Sequence, residues 1–155
     1  MNTSDGLKVV EFNCRFGDPE TQVVLPLMES SLLDLMVTVA AGGSLAGRSV
    51  TARPGVAVTT VVASRGYPGS YEKGKPITIP DDLEGEDVLV FHAGTATQEA
   101  TLVTSGGRVL AVTAIGATLA DAASASRAAA TRIEFEGSFF RNDIGWRERI
   151  RQEDA

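Results

Sequence analysis

The sequence predicts an α+β protein whose strands pair mostly antiparallel. Two observations carry that expectation. Six or seven short strands and three helices are grouped along the chain rather than alternating, and from residue 55 onward the pattern is short β-branched runs closed by glycine turns. Grouped elements favour antiparallel sheets with helices laid against one side, whereas strict alternation would favour a parallel sheet.

Taken in order, "LKVVEFN" (7–13) is expected as a strand between the turns "SDG" and "RFGDPE". "DPE" then opens a helix: Asp18 can cap it, Pro19 suits the first helical position and Glu20 complements the dipole. That helix should stop near Pro26. A second one starts at Ser31, with Asp34 three residues on as a weaker capping box. Leu32, Leu35, Met36 and Val39 fall on one of its faces, and "AGG" (41–43) ends it. Residues 44–54, "SLAGRSVTARP", show little periodicity, so residues 1–48 and 49–155 are expected as two units.

"VAVTTVVAS" (56–64) is the first strand of the second unit and ends at "RGYPG". "YEKGKPITIP" (71–80) predicts a small hairpin around Gly74, and "EDVLVFHAG" (86–94) an apolar strand closed by Gly94. "EATLVT" and "RVLAVTAI" flank "SGG" (105–107), which predicts a second hairpin. Thr118 opens an alanine-rich helix reaching about Arg132, where Ala122, Ala123, Ala129 and Ala130 allow close approach to a sheet. "EFEGSFFRNDIGW" is expected as an irregular tail, and the chain shows no internal repeat or low-complexity segment.

Composition narrows the function classes. A chain of 155 residues, 43% hydrophobic, has room for one domain, or for a small domain with an appendage, and for a real core. A net charge of −6 argues against a nucleic-acid or anionic-membrane surface. No apolar run approaches the about 20 residues of a membrane span, and "MNTSDGLK" lacks the layout of a signal peptide. The single cysteine, Cys14, forms no internal disulfide, which points to a reducing cytoplasm. One His and one Cys exclude a structural zinc site of the usual kind.

The densest chemistry is "VVEFNCRFGDPETQ" (9–22). Strand alternation places Glu11, Asn13 and, one step further, Arg15 on one face, with Cys14 packed on the other. Two oxygen ligands beside a cation suit Mg²⁺ with phosphate, since that ion takes few protein oxygens and fills its octahedron with water and phosphate. Arg15 could hold a phosphate or carboxylate in its planar fork, and the free N–H groups of the following helix could receive an anion. Asp18 and Glu20 could instead hold an amine. A solvated edge strand followed by an ordinary capped helix would have the same spacing.

"EFNCRFGDPETQ" resembles the end of the ATP-grasp domain in the phosphoribosylamine–glycine ligase family, also called glycinamide ribonucleotide synthetases. The resemblance continues in that family's order through "LLDLMVTVAAG", "RGYPGSYEKGKPI", "VFHAGT", "TSGGRVLAVTAIG" and "FFRNDIG", and so covers essentially the whole chain. It implies that residues 1–48 are the C-terminal end of an ATP-grasp domain, a strand plus helices. Residues 49–155 would be a small, mostly antiparallel β domain with a packed C-terminal helix. The implied reaction joins glycine to 5-phosphoribosylamine at the expense of ATP, through a glycyl phosphate, in de novo purine biosynthesis. Glu11 and Asn13 match the residues that bind the Mg²⁺ or Mn²⁺ ions bridging the ATP phosphates. Arg15, Gly17, Asp18, Pro19 and Glu20 match the substrate-facing loop, with Arg15 as its catalytic member.

Arg108 follows Gly106 and Gly107 at a hairpin end, where related purine ligases place basic residues on the sugar phosphate and exposed N–H groups could help. A surface arginine opening a strand is the alternative. Arg65, Gly66 and Tyr67 form a turn that is structural or packs near the substrate, and His92 is expected in a hydrogen-bonded structural role. A complete ligase of this family is much longer. Its N-terminal glycine-rich domain and most of its ATP-grasp domain have no counterpart here, so the chain alone is expected to be inactive and to need those portions. Two other classes stay open: a non-catalytic interaction module that complements a separate polypeptide, and a biotinyl- or lipoyl-type carrier using Lys73 or Lys75 without the usual flanking methionines.

Overall fold

The structure, a computed structural model, describes residues 2–12 and 14–153. Its centre is a pair of nine-residue strands, β3 (Val56–Ser64) and β7 (Arg108–Gly116), which run antiparallel along their full length. With β4 (Val88–His92) and β8 (Ser138–Phe139) they form a sheet in the order β4-β7-β3-β8. Two hairpins complete the strands: β1 (Asn2–Thr3) with β2 (Gly6–Leu7), and β5 (Thr95–Gln98) with β6 (Thr101–Thr104). Every pairing is antiparallel, as the grouped elements predict. The helices are α1 (Thr21–Val24), continued by a 3₁₀ turn (Leu25–Leu27), α2 (Leu32–Ala40), α3 (Leu119–Thr131) and α4 (Trp146–Glu153).

The core follows from strand alternation. Val58, Thr60 and Val62 lie opposite Ala114, Val112 and Leu110, and directly opposite residues share a face. The alanine-rich helix α3 covers that face with Ala122, Ala123, Ser126, Ala129 and Ala130 buried. Its small side chains bring the helix close enough for the Ser126 hydroxyl to donate to the Val112 carbonyl (2.8 Å) and to bond Thr60 Oγ1 (2.6 Å). Thr118 caps it by accepting from the Asp121 N–H (3.1 Å), as expected from sequence. On the other face the Thr113 hydroxyl donates to the Gln22 carbonyl (2.9 Å), which ties α1 to the sheet. Val62 opposes Leu110 and Ala63 opposes Arg108, so Val109 is a bulged residue beside the strand end that carries Arg108.

Helix α2 begins where expected, with Ser31 accepting from the Asp34 N–H (3.2 Å). It ends in a Schellman motif: Gly42, at φ +74°, donates to Val39 and Gly43 donates to Thr38. Its expected apolar face is only partly covered. Leu32 and Leu35 are half-buried, whereas Met36 and Val39 are more than half exposed.

Several expectations fail for identifiable reasons. The strand expected over 7–13 is absent: only Gly6–Leu7 pairs, and residues 8–12 join no sheet, because no described strand lies alongside to take their N–H and C=O groups. The alternation argument for Glu11, Asn13 and Arg15 fails with it; Asn13 itself lies outside the described residues, and Cys14 is exposed rather than packed. The hairpin around Gly74 does not form either. Gly74 and Ile77 donate to Thr104 and Leu102, and Thr78 exchanges both backbone bonds with Glu134. The segment threads between two partners because that places Ile77 in the core beside Ile133, and long-range burial outweighs local turn chemistry.

The hairpin across "SGG" is likewise replaced. Both edges of β7 are taken by β3 and β4, so β6 folds back on β5, a strand the sequence did not suggest. The turn between them is Glu99-Ala100, at φ 47° and 67°, without the Asn or Gly that usually marks left-handed backbone. The tail is not irregular: it supplies β8, on the outer edge of β3, and leads into α4, a strongly charged helix whose two large apolar residues, Trp146 and Ile150, stand four positions apart. No described helix is long and apolar enough to cross a membrane.

Candidate functional site

The loop Gly17–Glu20 sits where α1 meets the sheet. The Asp18–Pro19 peptide is cis, residues 18–20 form a turn, and α1 starts only at Thr21. The Thr21 N–H (3.0 Å) and hydroxyl (2.5 Å) both donate to the Gly17 carbonyl, and the Val24 N–H donates to Glu20 (3.1 Å). The start of α1 therefore offers few of the free N–H groups expected to receive an anion. Asp18 does not cap the helix, and Glu20, in the cap position, makes no side-chain cap bond.

Asp18 is drawn elsewhere by charge. Arg108 donates from Nη2 to Asp18 Oδ2 (3.1 Å) and from Nη1 to the Asp18 carbonyl (3.1 Å). Gln22 Nε2 donates to the second carboxylate oxygen, Oδ1 (3.1 Å). The guanidinium brings a full positive charge to the carboxylate, where the helix start would offer only the partial charge of its N–H groups. The Oε1 of Gln22 is buried with no hydrogen-bond partner among the described residues. Glu20 is exposed and folds its carboxylate over Gly17, where a Cβ would overlap it. Arg15 is exposed, with Nη1 donating to the Phe16 carbonyl (3.1 Å).

The structure thus brings Gly17, Asp18, Pro19, Glu20 and Arg108 together and adds Gln22 and Thr113, which sequence reasoning passed over. Gln22 was visible in "DPETQ", but its link to Thr113, ninety-one positions away, had no sequence signal. Glu11 is exposed on the segment that precedes the loop. Its carboxylate is the right kind of donor for Mg²⁺ or Mn²⁺, yet no group of three or more His, Cys, Asp or Glu side chains converges on a metal position among the described residues. Glu11 fits such an ion in chemistry; a full site would need water, phosphate oxygens or further protein ligands.

The glycines expected to expose N–H groups beside Arg108 are used otherwise. Gly106 N–H donates to the Gly94 carbonyl (3.1 Å), and Gly107 is buried under Tyr67 and Tyr71, whose ring centroids are 6.3 Å apart. A Cβ at Gly94 would collide with the Gly106 backbone, so the two turns approach as only glycines permit. The Arg65–Tyr67 turn is therefore a lid on the "SGG" turn. His92 bonds Thr95 Oγ1 through Nδ1 (3.0 Å), which agrees with a structural role.

Beside that lid lies an open cleft of about 460 Å³ that includes Arg65, Ser70, Glu72, Lys75 and Glu136. Lys75 Nζ is held by Glu72 (2.7 Å) and Glu136 (2.8 Å), which argues against a carrier lysine that must stand free at a hairpin tip. Glu136, then Glu72, push the Lys75 ammonium up to about 12, and Lys75 in turn pulls Glu72 down. A raised lysine stabilises the fold fully below its unfolded value of about 10.4, and that contribution is lost as pH rises through about 12. A lowered carboxylate does the reverse, losing its contribution as pH falls through its depressed value. The latch is therefore expected to hold unchanged between about pH 6 and pH 9. Over that range proteolytic nicking of residues 65–75 should stay constant, while Lys75→Met should raise it at every pH. Equal nicking of the two proteins would show that Lys75 latches nothing.

Comparison with known proteins follows the same residues. The family model "Phosphoribosylglycinamide synthetase, C domain" matches residues 57–147, more than half of the chain. The phosphoribosylamine–glycine ligase of Rhizobium meliloti (strain 1021) is 49% identical over 147 residues, covering 95% of this chain and 34% of that protein. The human trifunctional purine biosynthetic protein adenosine-3 is 46% identical over 147 residues, covering 95% of this chain and 15% of that protein. The crystal structure of the phosphoribosylamine–glycine ligase of Thermotoga maritima superposes with a TM-score of 0.78 at 36% identity, over 92% of this chain and 34% of that one. The chain spans about a third of the length of the ligases it matches.

Proposed function

This chain belongs to the phosphoribosylglycinamide synthetase C-domain family, and from that premise we propose that it is the C-terminal part of an ATP-dependent ligase joining glycine to 5-phosphoribosylamine. The observation that carries this reading is similarity over 147 residues to a phosphoribosylamine–glycine ligase, together with a superposition covering 92% of this chain on another. Residues 1–48 would be the end of the ATP-grasp domain and 49–155 the C-terminal domain, at work in the cytoplasm on purine biosynthesis.

In this reading Glu11 and Asn13 would hold Mg²⁺ or Mn²⁺, which when bound neutralises phosphate charge on ATP. Phosphoryl transfer of this type depends mostly on positioning and charge compensation. Arg15, exposed just ahead of the loop, offers a guanidinium to a phosphate or carboxylate oxygen. Gly17, Asp18, Pro19 and Glu20 face the substrates, glycine and 5-phosphoribosylamine, and Arg108 ties that surface to the sheet. Supplied with the remaining two thirds of a ligase, the chain should restore ADP formation dependent on both glycine and phosphoribosylamine; alone it should show none. Turnover by the chain alone, or association without any restored turnover, would count against the proposal. Association without turnover is what the second reading, a non-catalytic interaction module, expects, and the exposed Leu33, Met36 and Val37 of α2 favour it.

A further inference from the structure

Arg108 is the first residue of β7, and it reaches across ninety positions of sequence to Asp18. It does so at two chemically different points, the backbone carbonyl and carboxylate Oδ2, each at 3.1 Å. Gln22 occupies the other carboxylate oxygen, and the Gln22 carbonyl returns to β7 through Thr113. The contacts close a ring from strand to loop to α1 and back to the same strand. Both carboxylate oxygens of Asp18 already accept a donor, whereas the carboxylate of Glu20, two residues on, makes no cap bond and is exposed.

The geometry points to Arg108 as a positioning residue: it clamps Asp18 and thereby sets the Gly17–Glu20 loop on the sheet, leaving Glu20 as the carboxylate that receives the ammonium group of an amino-acid substrate. This rests on the ligase reading above. Arginine suits the role because its planar fork can hold two acceptors at once, which a lysine ammonium on a flexible stem does not reproduce. The pair is not there mainly for stability. Its side chains are 40% and 43% exposed, and exposed ion pairs contribute little. Its effect lies in geometry, where a misplacement of about 1 Å can cost about 100-fold in rate. A phosphate arriving at Arg108 would instead have to displace Asp18, so the clamp and a phosphate ligand make different kinetic predictions.

The test uses the enzyme assembled from this chain and the remaining ligase polypeptide. Arg108→Ala and Asp18→Asn are each expected to lower kcat by about 10- to 100-fold, leaving the KM for phosphoribosylamine near its wild-type value. The double variant should be no worse than Arg108→Ala, because the Asp18 carboxylate acts through one of the two contacts that Arg108→Ala already removes, and Arg108→Lys should recover part of the loss. Glu20→Gln should raise the KM for glycine by about tenfold. A selective rise in the phosphoribosylamine KM in Arg108→Ala, additive with a mild Asp18→Asn, would overturn the clamp and make Arg108 a phosphate ligand. A glycine KM raised by Asp18→Asn and not by Glu20→Gln would overturn the assignment of Glu20.

The 155-residue chain supplies a readout that needs no turnover. In its ¹H–¹⁵N spectrum, Arg108→Ala and Asp18→Asn should shift the same amides, those of residues 17, 18 and 20–24, and leave α3 unmoved. Shifts in two separate sets would overturn the clamp. Shared shifts in a protein whose assembled wild type shows no glycine-dependent turnover would uphold the clamp and remove the ligase reading instead.

Discussion

Leu110→Ala is expected to lower the unfolding free energy by about 3–5 kcal/mol. Leu110 is fully buried on β7, directly opposite Val62, which is also fully buried. It belongs to the cluster that includes Ala129 and Ala130 in the last turns of α3 and Ile133 just beyond it. Truncation removes the transfer free energy of the side chain and leaves a cavity as well. How much the cavity costs depends on whether its walls can close, and here they are held. Ser126 pins α3 to the Val112 carbonyl and to Thr60, and β7 is hydrogen-bonded on both edges. The loss should therefore fall in the upper part of the range for such changes. Single domains have only about 5–15 kcal/mol to lose. In urea the midpoint should drop sharply with the slope unchanged; a shift worth less than about 1 kcal/mol would contradict a rigid core at this position.

In the assembled ligase, Glu11→Ala is expected to reduce turnover by about 100-fold or more, the scale seen when a charge-stabilising group is taken from a reacting centre. Glu11 is exposed and lies on a segment that joins no sheet among the described residues, so the urea midpoint of the 155-residue protein should move far less than in Leu110→Ala. Function and stability should separate cleanly at this residue, the reverse of Leu110. The metal assignment has its own signature. Glu11→Gln keeps one oxygen but loses the charge, so it should need more Mg²⁺ or Mn²⁺ for half-maximal activity than the wild type. Full activity of Glu11→Ala at ordinary metal concentration would remove Glu11 from the metal site.

Much of the fold was legible in the sequence. Val56–Ser64, the strand within residues 86–94, the Ser31 and Thr118 caps and the buried alanines of α3 all follow from local pattern. These features are set by periodicity and capping, which act within a few residues. The pairing partners were not legible. "SGG" signals a reversal equally well whether the next strand pairs with the last one or with two distant ones, and "YEKGKPITIP" has the turn chemistry of a hairpin it does not make. The expected strand over 7–13 failed for a related reason, since β propensity in "LKVVEFN" describes a surface that fits a sheet and provides no neighbour.

The site divides along the same line. The amino-acid sequence by itself determined which chemical groups are present between Glu11 and Gln22, where the central strands and α3 lie, and which family the chain resembles. Only the tertiary structure decided that Asp18 turns from its helix to Arg108, that Gln22 is tied to Thr113, and that Glu20 is left facing solvent. The physical reason is range. Capping, alternation and helical periodicity are satisfied within one turn or one strand, so neighbouring residues encode them. An ion pair across ninety positions forms only after the sheet has brought β7 beneath α1, and no short stretch of sequence records that meeting.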